Sequence, residues 1–351
     1  MAIHVQCCAI MAILRNLLYL CSMKLAVVGV TGLVGRMILK VLEEHAFPVN
    51  QLFPVASPKS IGQMVRFHEK VFRVTDHLEA IREKPDIAIF SAGSCVSREW
   101  APRYAEAGIR VIDNSSAWRM DPAVPLIVPE INAHILTPDH TIIANPNCST
   151  IQLVLVLAPL HARYTVKRVV VSTYQSVSGT GARGVRQLEN ERKGIAGEMA
   201  YPHQIDLNLF PHGGAFQENG YTAEEMKLVD ETRKILNDPT IMVSPTIVRV
   251  PVLVGHAEAV NIEFAGSCDI REVCSLLSDT PGVVIQDDVQ HNLYPMPILA
   301  EGKDEVFVGR IRADDSRDHC INLFIVSDNL RKGAATNAVQ IADYLRRHVL
   351  R

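Results

Sequence analysis

No surplus of basic side chains is present in this 351-residue sequence: 35 Lys and Arg stand against 38 Asp and Glu, for a net charge of −3. Nothing is left over to coat a phosphate backbone, so nucleic acid is excluded as a natural partner. Paired cysteine spacing is also missing. Cys7, Cys8, Cys21, Cys95, Cys148, Cys268, Cys274 and Cys320 are scattered, neither at metal-ligand intervals nor at the density of a disulfide scaffold. No metal site is read from them, and a reducing cytoplasm is the expected compartment. Internal repeats and low-complexity linkers are absent as well, which excludes solenoids and tethered arrays. With 48% hydrophobic and 21% charged residues, the chain can bury a large core and is long enough for two domains.

The first 22 residues are largely apolar and precede a second methionine, Met23. A signal peptide needs a basic start, and Met1-Ala2-Ile3-His4 has no basic side chain. A membrane span needs roughly twenty uninterrupted apolar residues, and Arg15 interrupts this run. Residues 1–22 are therefore expected to be an extension or a misassigned start, with the folded domain beginning at Met23 and no membrane partner.

From Lys24 the pattern is strand, glycine turn, helix. Lys24 to Val30 reads as a buried strand, Thr31 to Gly35 as a turn, and Arg36 to His45 has amphipathic helical spacing. Gly29, Gly32 and Gly35, with Thr31, Leu33 and Val34 between them, let backbone approach a pyrophosphate whose charge rests on the helix N-terminus. An NAD site carries an acid at the end of the second strand to hold a ribose hydroxyl. Here the strand Gln51 to Ala56 runs into Ser57-Pro58-Lys59-Ser60. Two hydroxyls and a cation suit a 2′-phosphate, so the reading is NADP; a solvated loop holding a lysine is the plainer alternative. Strand-like stretches at Asp86 to Phe90, Val111 to Asp113 and Thr141 to Ala144 extend the alternation into a Rossmann-type, doubly wound parallel sheet.

Ala144-Asn145-Pro146-Asn147-Cys148-Ser149-Thr150 closes a strand and opens the apolar helix beginning at Ile151. Cys148 thus falls at a helix N-terminus, where the dipole and unpaired amides favour the nucleophilic thiolate. The other cysteines from Cys95 on read as small buried hydrophobes.

These motifs closely resemble those of the bacterial aspartate-semialdehyde dehydrogenase family, and the resemblance runs from Met23 to the carboxyl end. Asp113-Asn114-Ser115-Ser116-Ala117-Trp118-Arg119, Ser172 to Gly179, Glu224-Glu225-Met226-Lys227, Arg249-Val250-Pro251-Val252 with Gly255-His256, and Ser327-Asp328-Asn329-Leu330 follow in the same order. The resemblance implies an NADPH-dependent reductive dephosphorylation of L-aspartyl 4-phosphate to L-aspartate 4-semialdehyde, on the route to lysine, diaminopimelate, methionine and threonine. Cys148 would attack the acyl phosphate and carry a thioester. His256 is similar to the family's general acid and base, titrating near working pH, and Gln175 to the residue that orients the acyl group. Arg249 is similar to the grip on the α-carboxylate, and Glu225 would face the substrate ammonium. Arg119 and Lys227 would hold phosphate, while Ser178, Gly179 and Asn329 match positions near the nicotinamide. Without the family, each of these charges reads as ordinary surface.

Lys59 departs from the arginine many relatives place at the 2′-phosphate, and its point contact loosens the expected cofactor preference. The implied architecture is a dinucleotide domain over 23–147, completed by a C-terminal helix over 329–351, and a mixed α/β catalytic and dimerisation domain over 148–328. A homodimer, or a tetramer, is expected. One competing reading is N-acetyl-γ-glutamyl-phosphate reductase, whose nucleophile sits in Asn-Pro-Gly-Cys-Tyr rather than Asn-Pro-Asn-Cys-Ser. The other is an NADP-sensing protein that has lost catalysis.

Overall fold

The computed structural model describes residues 23–350, and the reading of residues 1–22 falls outside them. Its first layer is a five-stranded parallel sheet. Strand β1 (Met23–Val28) leads through the glycine turn into helix α1 (Leu33–Glu44) and strand β2 (Val49–Val55). A hairpin of β3 (Met64–Phe67) and β4 (Lys70–Arg73) follows, then α2 (His77–Arg82), β5 (Ile87–Phe90), α3 (Ser94–Glu106), β6 (Arg110–Asp113) and β7 (Ile142–Ala144). The order across the sheet is β2-β1-β5-β6-β7. A parallel sheet is covered on both faces, which is why its strands are runs of apolar residues without alternation; all four residues of β5 are fully buried. The hairpin was not anticipated, since its residues are mostly exposed and carry no strong period.

The second layer begins where β7 ends. Helix α4 (Cys148–Tyr164) is buried along most of its length and lies on a six-stranded mixed sheet. That sheet is formed by β8 (Val166–Gln175), β9 (Met242–Arg249), β10 (His256–Phe264), β11 (Val283–Ile285), β12 (Val306–Ala313) and β13 (Cys320–Ser327), in the order β11-β12-β13-β10-β8-β9. Helices α5 (Ala182–Arg192), α6 (Ala223–Leu236) and α7 (Ile270–Ser278) complete the layer. The chain then returns. A π-turn at Arg331–Ala335 leads into α8 (Thr336–His348), whose Ala338, Val339, Ile341, Ala342 and Leu345 share one core with β1 and α1. Arg331 anchors that turn to Asp304 at 2.8 Å and Lys332 anchors it to Glu130 at 2.8 Å.

Of the cysteines read as buried hydrophobes, Cys320 is buried, Cys268 and Cys274 are half-buried, and Cys95 is exposed on α3. A small side chain on an amphipathic helix follows the face it occupies, which a lone residue type does not reveal. Among the described residues no helix is long and apolar enough to cross a membrane.

Candidate active site

Asn147 caps α4, its Oδ1 accepting from the Ser149 amide at 3.0 Å. Cys148 is therefore the first helical residue, as the Asn-Pro-Asn turn implies. It sits half-buried in a cleft of about 300 Å³ between the two layers, lined by Asn114, Ser115, Ser116, Arg119, Ser178, Gly179, Glu224, Lys227, Asn329 and Gly333 among others. A Cβ built on Gly333 would lie 2.9 Å from Cys148 Cβ, so only glycine allows the π-turn to approach the thiol so closely.

The surroundings of Cys148 work against the thiolate expected from the helix dipole. Burial pushes the Cys148 thiol up to about 11, and the Glu224 carboxylate adds to it; Arg249, Arg119 and the Ser149 amide pull the other way without winning. Desolvation disfavours an anion. His256 needs the same correction. Burial, and then the Arg249 guanidinium, push its imidazole down to about 3, far from titration at neutral pH. Its Nδ1 accepts from the Ser176 amide at 3.1 Å, so the proton of the neutral ring is on Nε2. That nitrogen is buried and has no partner among the described residues.

The carboxylate in the cleft is Glu224, not Glu225. Glu225 forms a capping box with Thr222: its Oε2 accepts from the Thr222 amide at 2.6 Å and hydroxyl at 2.9 Å, and its Oε1 accepts from the Ile247 amide at 3.1 Å. All of its capacity holds the start of α6. Glu224 lines the cleft, takes Lys227 Nζ at 2.7 Å and accepts from Asn147 Nδ2 at 2.6 Å. Burial works against its charge, but Lys227, Arg249 and the hydrogen bonds override it and hold the carboxyl at about 2. The signal was in the sequence: Thr222 three residues before Glu225 is a capping-box pattern, and Glu224 stands one helical turn before Lys227 on the same face.

Arg249, at the end of β9, is 8% exposed; its guanidinium acts on the Glu224 carboxylate by charge without an ion pair or side-chain hydrogen bond among the described residues. A Cβ built on Gly179 would lie 3.0 Å from His256 Nε2 and 3.3 Å from Arg249 Nη1, which places the three together. Arg119 is more committed: it donates to the Asn145 carbonyl at 2.9 Å, the Asn114 carbonyl at 2.8 Å and Glu231 Oε1 at 3.0 Å. Two of its five N–H groups remain. Gln175 donates from Nε2 to Ser149 Oγ at 2.9 Å and leaves Oε1 without a partner. Asn329 Oδ1 gathers Ser176 Oγ at 3.0 Å and the Gly255 amide at 2.9 Å, while its Nδ2 donates to Ser178 Oγ at 3.0 Å.

The dinucleotide side is made of backbone. Gly29 has φ +82°, and a Cβ there would meet Ser91 O at 2.2 Å; a Cβ on Gly35 would meet Gly29 O at the same distance. Gly32 caps α1 with no side-chain bond and no acid in the first turn, which leaves the helix N-terminal amides available to an anion. These features fit a pyrophosphate. Val34 reaches the thiol cleft, together with Ser91, Gly93 and Ser94, which sequence reasoning did not single out because short β5–α3 loops carry no pattern of their own. Thr31 lines a separate cleft with Arg36 and Arg66. Leu33 opens α1. Ser57, Lys59 and Ser60 form a short helical turn at the end of β2, with Ser57 and Lys59 exposed. Among the described residues no cluster of His, Cys, Asp and Glu could hold a metal ion.

Fold and cleft together define a dinucleotide-dependent oxidoreductase organised around a cysteine. Two family models match it: the semialdehyde dehydrogenase NAD binding domain over residues 24–137 and the semialdehyde dehydrogenase dimerisation domain over 157–332. Aspartate-semialdehyde dehydrogenase of Aquifex aeolicus is 50% identical over 331 residues, covering 92% of this chain and 97% of that protein. The Bacillus subtilis enzyme of the same name is 44% identical over 93% of this chain and 98% of its own length. The crystal structure of aspartate semialdehyde dehydrogenase II from Vibrio cholerae superimposes with a TM-score of 0.89 at 46% identity, covering 93% of this chain and 99% of that one. The chain belongs to the aspartate-semialdehyde dehydrogenase family.

Proposed function

We propose that this chain reduces L-aspartyl 4-phosphate to L-aspartate 4-semialdehyde with NADPH, releasing phosphate, as a biosynthetic enzyme of the cytoplasm. The observation that carries the reading is the unpaired guanidinium of Arg249 beside His256 Nε2, with Glu224 in reach of both Lys227 and the cysteine helix. Arg249 acts on the Glu224 carboxylate from a distance but is not paired with it, so its buried guanidinium keeps donors for an anion that a ligand would bring. An α-carboxylate on Arg249 and an α-ammonium on Glu224 would complete the set, and a free amino acid carries both. Aspartate semialdehyde dehydrogenase II from Vibrio cholerae complexed with ASA superimposes with a TM-score of 0.90.

In this reading Cys148 Sγ attacks the acyl carbon, the bond to phosphate oxygen breaks, and the thiol proton leaves on the phosphate. His256, protonated on Nε2, donates to the acyl oxygen, and Gln175 Oε1 orients the acyl group. Arg119 and Lys227 hold the phosphate. Gly29, Thr31, Gly32, Leu33, Val34 and Gly35 cradle the dinucleotide, Ser57, Lys59 and Ser60 its 2′-phosphate, and Ser178, Gly179 and Asn329 border its nicotinamide. Bound there, NADPH supplies the hydride that takes the acyl group to the aldehyde. The domain limits that go with this reading are 23–147 with 329–351 for the cofactor, and 148–328 for catalysis and pairing into a homodimer; a tetramer would be two such dimers.

Phosphate-dependent oxidation of L-aspartate 4-semialdehyde, followed as NADPH absorbance, tests substrate, cofactor and reaction together. Turnover confined to N-acetyl-glutamate 5-semialdehyde would assign the chain to the reductase of the longer acyl phosphate. Binding of NADPH with no turnover of either aldehyde would make it a sensor.

A further inference from the structure

Helix α6 carries Glu224, Lys227, Glu231 and Lys234 at intervals of three, four and three residues, so the four stand along one face. The first two meet the cleft. Glu231 does not line it, yet it is 1% exposed and both of its oxygens are engaged. Oε1 accepts from Arg119 Nη1 at 3.0 Å, and Oε2 accepts from the backbone amide of Asn147, the residue before Cys148, at 2.7 Å. Lys234 spends all three of its N–H donors on carbonyls, those of Arg119 at 2.7 Å, Asp121 at 2.7 Å and Val124 at 2.8 Å. The helix therefore holds Arg119 twice, by its carbonyl through Lys234 and by its guanidinium through Glu231.

An arginine that served only as a positive charge near an anion would act more strongly without a carboxylate against it, because the carboxylate cancels part of its pull. Nor does a buried ion pair stabilise a fold much over an apolar pair of similar volume. Geometry accounts for the arrangement. A guanidinium is rigid and planar, so its orientation is set once enough of its N–H groups are held. Three of the five are held here, by the Asn145 carbonyl at 2.9 Å, the Asn114 carbonyl at 2.8 Å and Glu231. Two remain for an anion in the cleft that Arg119 lines. Asn145 and Asn147 belong to the turn that delivers Cys148, and Asn147 caps its helix. Through one carbonyl and one carboxylate, the anion-holding side chain is fastened to the turn of the nucleophile.

We propose that Glu231 is a positioning residue for the reaction: its two oxygens fix Arg119 relative to the turn that carries Cys148, so that the free N–H groups of the arginine meet the phosphate while Sγ meets the acyl carbon. The role rests on the functional reading above, which puts phosphate on Arg119. A misplacement of about 1 Å can cost on the order of 100-fold where reaction depends on alignment, so loss of either contact should be felt beyond the hydrogen bond itself.

Glu231→Gln keeps size and shape but offers one acceptor oxygen where two N–H groups point, so one of the two bonds is lost. The quantity to read is KM for inorganic phosphate in the oxidation of L-aspartate 4-semialdehyde. We expect it to rise at least about 10-fold, with KM for the semialdehyde and for NADP within about 3-fold. A carboxylate that only screened Arg119 would lower KM for phosphate on removal, and one that only stabilised the fold would leave it unmoved while the melting temperature fell; either result would overturn the proposal. A second comparison asks whether Glu231 acts through Arg119. Relative to Arg119→Lys, the double variant Arg119→Lys/Glu231→Gln should lose no more than about a further 2-fold in kcat/KM for phosphate, and fully additive losses would overturn the proposal too. Should Glu231→Gln fail to fold, Glu231→Asp keeps the charge but is one methylene short of spanning both partners, and the same rise is expected of it; failure of both to fold would make the residue a purely structural one and end the proposal. One measurement needs no turnover. Inorganic phosphate should shield Cys148 from iodoacetamide, and half-protection of Glu231→Gln should take at least about 10-fold more phosphate than the wild type. A wild type that turns over no semialdehyde would sink the functional reading instead, and protection would then decide on Glu231, an equal phosphate requirement overturning its role.

Discussion

On the dinucleotide side of the cleft, ligand-facing groups are backbone: two glycines packed within 2.2 Å of carbonyl oxygens, once a Cβ is imagined on them, and a helix N-terminus without a cap. On the thiol side they are buried ionisable side chains, with Cys148 pushed up to about 11, His256 down to about 3 and Glu224 down to about 2. Backbone recognises the part of a ligand that is the same in every reaction and needs no tuning. Side chains in a desolvated pocket can be shifted by several pH units by their neighbours, and bond-making needs that control. The two walls should therefore fail differently when altered.

The sharpest separation comes from Cys148→Ala. Turnover should fall by more than about 10⁴-fold, whereas NADPH affinity, measured by fluorescence titration, should stay within about 2-fold. Cys148→Ser should leave only a trace, because a hydroxyl ionises far less readily than a thiol. A variant in which binding and turnover fell together would mean that the walls are not separable. The converse change is Gly35→Ala. Its Cβ has nowhere to go without displacing the Gly29 carbonyl, so NADPH affinity should drop at least about 10-fold and the melting temperature should fall with it. Alkylation of Cys148, which needs no cofactor, should be nearly unchanged.

Adjacent glutamates give a finer test. Glu224→Gln removes the partner of Lys227 and weakens the hold on Asn147; kcat/KM should fall about 10- to 100-fold, mostly through KM for the semialdehyde. The ion pairs of Glu224 stabilise the fold above pH 4.5, and that contribution, on the order of 3 kcal/mol, is lost as pH falls toward about 2. Acid unfolding of Glu224→Gln should accordingly be shallower in that window. Glu225→Gln touches the capping box and the bond to the Ile247 amide, both outside the cleft, so it should cost about 1 kcal/mol in stability and leave turnover within about 2-fold. Reversed outcomes for the pair would return Glu225 to the site.

Much of the backbone side was legible before any coordinates. Strand β1, the turn at Gly29 to Gly35, α1 and the position of Cys148 at the start of α4 all follow from hydrophobic period and local turn chemistry. What stayed hidden on the thiol side is the protonation state of its residues. A cysteine at a helix N-terminus reads as a thiolate from local rules, but the burial and the Glu224 charge that raise its pKa are assembled from segments far apart in sequence. The motif points to Glu225 rather than Glu224 because a motif gives residues without directions, although Thr222 marks which glutamate is the cap. Gly333, and the contact of Asn147 beyond its turn, stay hidden for a related reason: their importance lies in what they approach, Cys148 Cβ and Glu224, and neither distance is written in the chain.

Lys59 is where the two walls should differ least from ordinary surface. It is exposed on a one-turn helix after β2, flanked by Ser57 and Ser60, so any contact with a 2′-phosphate is a screened one in water. Lys59→Ala should raise KM for NADPH about 3- to 5-fold and leave KM for NADH unchanged, shrinking the preference without reversing it. Lys59→Arg should sharpen it by no more than about 2-fold, because a fork gains over a point charge chiefly where the geometry is held rigid. If neither change moves the NADPH to NADH ratio, the 2′-phosphate is bound elsewhere, and Arg36 and Arg66, lining the cleft beside Thr31, are the next pair to replace.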